Sequence, residues 1–304
     1  MKNIYSILSM VLLFTNLLSS CSEDRTLVDT EHAPLQFELN IKGGTPIVRT
    51  RAATNDTVFV FVYNTLDDLT PVFQLKGELK GENTILYYTP TEDFIKSSSY
   101  NIFTVATADT DLQMTLGSPM SQTDLLNLIQ NKTDLNIDGA GYVLSGGLRG
   151  ITFNNPSKAI SLFRNICRLE LTVTDQTTQY KDITASFDAP DQTYIFSSDI
   201  RNDTDLPIGA TDDTKHITFK TEGAIYKDTC YFFENSNGLT LKIQATGITD
   251  SIYNYRVVLA KTERNTIYRI NAGLNLTELT VETVSNLDWK GNIDDSQELI
   301  PVNP

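Results

Sequence analysis

Residues 34–53, PLQFELNIKGGTPIVRTRAA, contain the strand around which the rest of the chain is organised. Apolar and polar residues alternate in the first half of this stretch, which is the period-two pattern of a strand with one buried and one solvated face. The apolar positions are Leu35, Phe37, Leu39 and Ile41. Two glycines and a proline within residues 43–46 follow at once and predict a turn that ends the strand.

A polar linker follows this turn and carries Arg49 and Arg51, each of which precedes a small residue. A trypsin-like protease is able to cut an exposed segment of this composition. The residues leave two interpretations open. Residues 34–51 are either an ordinary first strand with an ordinary loop, or a removable strand that fills a groove until the linker is cut. In the second case, the groove is expected to place this strand beside an apolar strand such as residues 58–62.

Composition predicts an all-β, surface-exposed protein. The chain has 304 residues and a formal net charge of -14, and 40% of its residues are hydrophobic. This length and apolar content allow two domains with proper cores. The acidic balance argues against a nucleic-acid partner, which needs clustered lysines and arginines, and against attachment to anionic lipid by charge. Threonine, asparagine, aspartate and serine are plentiful, and long helical patterns are scarce.

Residues 1–20 have the features of a bacterial lipoprotein signal peptide. Lys2 supplies a positive charge, and the apolar run from Ile4 to Leu18 is short for a membrane span. The run leads into Leu18-Ser-Ser-Cys21, which resembles a lipobox, so Cys21 is expected to be lipidated and to become the first mature residue. Residues 21–33 then form a tether. Its charged start, residues 22–25, fits either a surface-export signal or a solvated tether.

Strand-like segments separated by turn signals recur at the spacing of a β-sandwich. They are predicted at residues 57–63, 72–75, 84–88, 100–106, 183–187, 193–196, 216–219, 230–233, 239–245, 252–260, 265–270 and 279–284, and residues 159–173 are predicted to form one long strand or a pair. The polar stretch 175–182 predicts a boundary between an N-terminal domain, residues 34–176, and a C-terminal domain, residues 177–290. Residues 291–304 form an acidic tail with a late apolar group at Leu299, Ile300 and Val302.

One short helix is expected at the edge of the first domain. Ser121 and Asp124 have the spacing of a capping box. The three apolar residues Leu125, Leu128 and Ile129 then share a helical face, and Asn131 is expected to end the helix.

Motifs of catalysis and metal binding are not found in the sequence. His32 and His216 lack zinc-ligand spacing, and the glycines of residues 139–150 lack the Lys-Ser/Thr of a phosphate loop. The acidic pairs are better explained as solvated loops than as calcium ligands; they are Asp67-Asp68, Asp212-Asp213 and Asp294-Asp295. No enzyme activity, cofactor or metal is therefore expected. Cys167 and Cys230 lie in apolar runs, where two free thiols are more common than a disulfide.

Several motifs, in order and spacing, make this chain similar to the fimbrillins, the subunits of type V pili of anaerobic Gram-negative bacteria. The resemblance covers essentially the whole chain and is carried by Cys21, residues 35–41, Arg49-Thr-Arg51-Ala52, residues 58–62, Tyr142-Val-Leu-Ser-Gly146, residues 162–169, Tyr231-Phe-Phe-Glu-Asn235, Arg264-Asn-Thr-Ile-Tyr-Arg-Ile270 and Trp289.

This resemblance implies two transthyretin-like β-sandwich domains and export as an outer-membrane lipoprotein with a lipid such as palmitate on Cys21. It implies that an Arg-specific surface protease cuts between Arg51 and Ala52, with Arg49 as the second choice. The strand that carries Leu35, Phe37, Leu39 and Ile41 then leaves, and a donor strand from another pilus subunit takes its place. The donor is expected within residues 279–284 or in the tail 291–304.

The role within the fimbria stays open because fifteen residues follow Trp289, a departure from many stalk subunits. Stalk, accessory and non-cleaved anchor roles are all compatible with the sequence. A different alternative is a surface glycan-binding lipoprotein, in which Tyr87, Tyr88, Tyr253 and Tyr255 line a platform. A glycan-binding protein has no need of the arginine linker behind a removable strand.

Overall fold

The computed structural model describes residues 33–42, 56–131, 143–203, 214–275, 278–288, 293–294 and 300–302. Strands dominate them, and the expected all-β fold is confirmed. The first half contains β1 (Leu35–Ile41), β2 (Thr57–Asn64), β3 (Phe73–Glu78), β4 (Asn83–Tyr88), β5 (Tyr100–Thr107), β6 (Ile129–Asn131), β7 (Leu144–Ile151) and β8 (Ser157–Arg164), with helices α1 (Thr110–Leu116) and α2 (Gln122–Leu126).

Seven of these strands form the first sandwich, in the order β3-β2-β5-β7-β8-β1-β4. Strands β7 and β8 pair only at Leu144↔Arg164 and Ser145↔Phe163, and the row folds there into two layers. The core between the layers joins the apolar residues of β1 to Val58, Val60 and Val62 of β2. The opposite face of β2 is also apolar because Phe59, Phe61 and Tyr63 pack with residues of α1 and α2.

The first half contains two helices where the sequence predicted one, and the predicted helix is shorter than expected. Helix α2 begins as predicted, because the Ser121 side chain accepts a hydrogen bond from Asp124 N at 3.0 Å. It ends at Leu126, and Ile129 lies in β6 instead of on a helical face. Helix α1 was not predicted, although the Asp109 side chain caps it by accepting from Leu112 N at 2.8 Å. Its seven residues, about two turns, are too few to show a clear apolar period.

The second half contains β9 (Ile166–Asp175), β10 (Tyr180–Asp188), β11 (Gln192–Tyr194), β12 (Thr214–Ile217), β13 (Lys220–Glu222), β14 (Ile225–Phe233), β15 (Leu239–Gly247), β16 (Ile252–Leu259), β17 (Thr266–Leu274), β18 (Leu279–Asp288), β19 (Ile293–Asp294) and β20 (Ile300–Val302), with helix α3 (Ser198–Arg201). Two sheets, β13-β14-β9-β17-β18-β19 and β12-β10-β15-β16-β20, enclose the second core. The short strands β6 and β11 pair with each other.

The strands before and after Asn165 pair within different sandwiches, so the chain crosses from the first sandwich to the second at this residue. The boundary expected from the sequence was at residue 176. Strand β9 pairs with β14 and β17 of the second sandwich. It follows β8 of the first sandwich after a single residue, Asn165. No turn or polar stretch marks this crossing, which is why sequence patterns placed the boundary at the next polar segment.

Side chains of the second sandwich complete the base of the first core. Ile166, Tyr231, Phe233 and Ile267 belong to the first core, whereas their chain neighbours Cys167, Phe232 and Tyr268 belong to the second. Strands β9, β14 and β17 therefore contribute alternate residues to the two cores at this junction.

Polar contacts also connect the two sandwiches at this junction. The Asn165 side chain accepts a hydrogen bond from Val143 N at 3.1 Å and donates one to the Gln130 side chain. Arg264 donates from Nε to Glu234 Oε1 at 2.8 Å and from Nη1 to Ile195 O at 3.1 Å. The half-buried Arg264–Glu234 pair and the contact to Ile195 O hold the β11 segment against the junction.

Candidate functional site

Strand β1 lies inside a sheet, between two strands to which it is hydrogen-bonded. It runs parallel to β8, with Phe37 opposite Lys158 and Leu39 opposite Ile160. It runs antiparallel to β4, with Phe37 opposite Leu86. Without β1, a gap one strand wide would separate β8 from β4, and the facing edges of both strands would lose their backbone partners.

The inward side chains of β1 are part of the first core. Leu35, Phe37 and Leu39 are 0% exposed and Ile41 is 3% exposed. The Phe37 ring lies 6.1 Å from the ring of Phe73 and 6.0 Å from that of Phe153, both edge to face. The alternation seen in the sequence therefore corresponds to one fully buried face. Each such side chain stabilises the folded state by about 1.5–3 kcal/mol through burial.

The strand next to β1 is not the one expected. The apolar strand at residues 58–62 was expected beside it, but β2 pairs with β3 and β5. Since both edges of β2 are occupied, it has none left for β1. Val58, Val60 and Val62 instead contact the β1 side of the core from the opposite layer.

Backbone hydrogen bonds hold β1 at both ends. Gln36 N donates to Pro156 O at 2.9 Å at the end far from the second sandwich. At the junction end, Ile41 N donates to Glu82 O at 2.9 Å and Lys42 N donates to Leu162 O at 2.8 Å. Arg164 adds a side-chain contact there, because its Nη1 donates to Lys42 O at 3.3 Å.

The expected processing residues lie outside the described part of the chain. These are Cys21, Arg49, Arg51 and Ala52. The described chain runs to Lys42 and resumes at Asp56, so the arginine linker connects the junction end of β1 to the start of β2. No helix within the described residues is long and apolar enough to cross a membrane.

The two candidate donor segments occupy different positions. Residues 279–284 belong to β18, which pairs with β17 on one side and β19 on the other. The tail contributes both β19 and β20, and β20 pairs with β16 at the edge of the five-stranded sheet. Trp289 lies outside the described residues. Within residues 279–284 the pairing is to β17 alone, because β19 meets β18 further along, at Asn286 and Leu287.

The remaining candidate residues do not converge on a chemical site. Cys167 and Cys230 are free thiols, and burial raises the pKa of Cys167. His216 lies on β12 opposite Ser186, whereas His32 is outside the described residues. In the loop after β2, the Asp67 side chain accepts from Leu69 N at 3.2 Å. The described residues contain no group of three His, Cys, Asp or Glu side chains that is able to hold a metal.

The four tyrosines proposed for a glycan platform are dispersed. Tyr88 stacks on Phe73 with the ring centroids 3.8 Å apart, and the Tyr255 hydroxyl lies 3.1 Å from that of Tyr180. Tyr88 therefore packs against the first core, and Tyr255 belongs to the second. Tyr87 is 65% exposed on β4, whereas Tyr253 lies on β16 of the other sandwich.

Sequence patterns missed Arg164, which is 0% exposed beside the groove that β1 fills. It continues the inward positions of β8 after Ile160 and Leu162. The spacing of two residues from these apolar neighbours is the signal that would have predicted a buried arginine.

Comparisons with solved structures show which fold this is. A candidate cell-adhesion protein from Bacteroides eggerthii has a TM-score of 0.57 and 16% identity, and the match covers 85% of this chain and 96% of that one. The C-terminally truncated tip fimbrial protein Mfa3 from Porphyromonas gingivalis has a TM-score of 0.58 and 10% identity, covering 84% and 100%. A candidate cell-adhesion protein from Parabacteroides distasonis has a TM-score of 0.56 and 12% identity, covering 89% and 98%.

The similarity extends over nearly the full length of each of these proteins, so this chain has the fold of fimbrial and candidate cell-adhesion proteins. No family model matches the sequence, and no curated protein matches it. The fold expected from the fimbrillin resemblance is confirmed.

Proposed function

We propose that this chain is a fimbrillin, a structural subunit of a surface fimbria that serves cell adhesion. The observation that carries the proposal is the position of β1. It is the first strand among the described residues, it fills a gap between β8 and β4, and the arginine linker follows it. The shared fold with fimbrial and candidate cell-adhesion proteins supports the same role.

Cleavage of the linker turns β1 from a tethered strand into a separate peptide. While tethered, β1 is held by four buried side chains and by its backbone ladders to β4 and β8. After a cut between Arg51 and Ala52, dissociation releases the peptide into free solution, and its return depends on concentration. A donor strand from another subunit then fills the gap, because unpaired edges and apolar surface bind an extended strand.

Anchoring and location follow from the leader sequence. Lipid on Cys21 attaches the exported chain to the outer membrane, and residues 22–33 tether its domains to that lipid. An Arg-specific surface protease cuts there and separates the lipidated segment from the assembling subunit. An uncut chain keeps both its lipid and β1, as a non-cleaved fimbrial anchor would. Other pilus subunits, the protease and the membrane are thus the proposed partners.

The test is replacement of both linker arginines, Arg49→Ala plus Arg51→Ala, in cells that make the wild-type fimbria. We expect folded monomers that incorporate labelled palmitate and do not polymerise, because β1 stays tethered in its groove. Surface protein run on a gel without boiling should give a ladder for the wild type and a single band for the variant. N-terminal sequencing of the shed wild-type polymer should start at Ala52.

Two controls keep the outcomes apart. Arg25→Ala removes an arginine of the tether and should leave the ladder unchanged. Cys21→Ala should abolish palmitate labelling and outer-membrane fractionation. A normal ladder from the double linker variant would show that this chain keeps its first strand during assembly, or that it is not a pilus subunit. Single bands from wild-type and variant chains alike would favour the glycan-binding lipoprotein.

A further inference from the structure

Arg164 lies where the β1 groove meets the second sandwich. It is the last residue of β8, the strand that pairs with β1 in parallel. Its side chain is 0% exposed and is the largest fully buried side chain in the described part of the chain. Burying a guanidinium costs free energy unless its N–H donors are hydrogen-bonded. The contacts of Arg164 therefore show which acceptors this end of the groove has to supply.

The guanidinium contacts the backbone of the strand that fills the groove. Nη1 donates to Lys42 O at 3.3 Å, one residue beyond the fourth inward side chain, Ile41. Nη1 also lies 3.5 Å from Asn265 Oδ1, and the same oxygen accepts from Arg164 N at 3.2 Å. Asn265 therefore fixes the guanidinium in the position from which it binds the strand.

Asn265 is itself held in place by its backbone. Its φ is 60°, in the left-handed region, and its N–H donates to Ile166 O at 2.8 Å. Asparagine tolerates this conformation better than most residues. The second sandwich thus supplies a rigid support for a contact made inside the first.

We propose that Arg164 is a positioning residue that determines how far into the groove an occupying strand must reach. It binds the main-chain carbonyl that follows the fourth inward side chain of the strand. The partner it fits is an extended segment that continues for at least one residue beyond its last inward apolar side chain. The inference rests on the proposed function, because it requires the donor strand of another subunit to occupy the groove in the same way as β1.

Lys158 on the same strand provides a matched control. It lies near the opposite end of β8, and its ammonium is 5.7 Å from the Phe153 ring centroid. Burial lowers the pKa of Lys158, so it too is a partly desolvated cation beside the groove. Replacing it removes a comparable side chain without removing the contact to Lys42 O.

The first experiment uses the intact, uncleaved chain and measures amide hydrogen exchange along β1. In Arg164→Met we expect exchange at Lys42 to accelerate about tenfold, the effect of losing one charge-assisted hydrogen bond, while Gln36 is little changed. Arg164→Lys, which keeps a charged donor, should fall between Arg164→Met and the wild type. Lys158→Met should leave Lys42 unchanged. Equal acceleration at Gln36 and Lys42 in Arg164→Lys would overturn the proposal, even if Arg164→Met does not fold.

The second experiment uses the full chain cut in its linker and two amidated peptides, residues 34–41 and 34–42. The terminal amide of the shorter peptide replaces the N–H of Lys42, so it lacks only the Lys42 carbonyl and side chain. The cut wild-type and Lys158→Met chains should bind the longer peptide about tenfold more tightly, whereas cut Arg164→Met should bind both equally. A 34–42 peptide with Lys42→Ala should behave like the longer peptide.

Equal affinities in the cut wild-type chain would overturn the proposed role of Arg164. If neither peptide enters the cut chain, the exchangeable groove of the proposed function fails instead. The hydrogen-exchange result on the intact chain then still decides whether Arg164 fixes the end of β1.

Discussion

At the scale of single residues, Phe37 makes the largest contribution of β1 to the core. Its ring is 0% exposed and meets Phe73 and Phe153 edge to face. Phe37→Ala should lower the free energy of unfolding of the uncut chain by about 3–5 kcal/mol, the usual cost of such a cavity. Urea denaturation of the purified chain measures this loss.

Glu38→Ala is the matched control, since Glu38 is the next residue of β1 and points to the outer face. It should change the free energy of unfolding by about 0.5 kcal/mol or less. A similarly small effect of Phe37→Ala would show that β1 is not part of the cooperative core, and a groove strand of this kind would then be excluded.

The sequence predicted the inward residues of β1 correctly because burial of one strand face is a local property with a period of two. It did not predict the partners of the strand. Pairing of β1 with β4 and β8 joins residues far apart in the chain, and many apolar strands offer compatible edges. The same period of two marks Arg164 as inward, but its partner Asn265 lies far along the chain in the second sandwich and could not be predicted.

At the scale of elements, the tail is better placed to act as a donor than the terminal strand. Strand β18 pairs with β17 from Thr266↔Asp288 to Leu274↔Leu279, and it also pairs with β19. Strand β20 makes three residue pairs with β16, from Arg256↔Val302 to Val258↔Ile300. Withdrawing β18 breaks nine residue pairs with β17, whereas withdrawing the tail breaks three pairs between β20 and β16 and two between β19 and β18.

Deletion of residues 291–304 should therefore leave a folded chain that is cut normally but does not polymerise. The circular dichroism spectrum checks the fold, and an unboiled gel of surface protein checks polymerisation. A normal ladder from the deletion variant would exclude the tail and leave residues 279–284 as the donor segment. As a control, the tail substitution Asn292→Ala should assemble like the wild type.

The ends of helices and strands could be predicted from the sequence where they depend on local side-chain contacts. Ser121 begins α2 through its cap, as predicted. The predicted end of α2 at Asn131 was wrong, because Gln130 is buried against Asn165 and residues 129–131 pair with β11. Tertiary contacts thus override the helical period of Leu125, Leu128 and Ile129, which no local pattern reveals.

At the scale of the whole molecule, the two sandwiches share a junction and are expected to unfold together. Strand β14 contributes Phe233 to the first core and Phe232 to the second. Strand β9 follows β8 after one residue, so no flexible linker separates the two units. Loss of the first core therefore removes contacts from β14 and β9 of the second sandwich.

Urea unfolding followed by hydrogen exchange in both sandwiches tests this coupling, and Phe232 and Phe233 give a matched pair. Both are 0% exposed, and each substitution by alanine should cost about 3–5 kcal/mol. The wild type should show one transition in both halves. Phe233→Ala weakens the shared junction and should make the first sandwich unfold at lower urea than the second, whereas Phe232→Ala should shift both halves together. Separate transitions in the wild type would contradict the coupling, and β1 would then be held by the first sandwich alone.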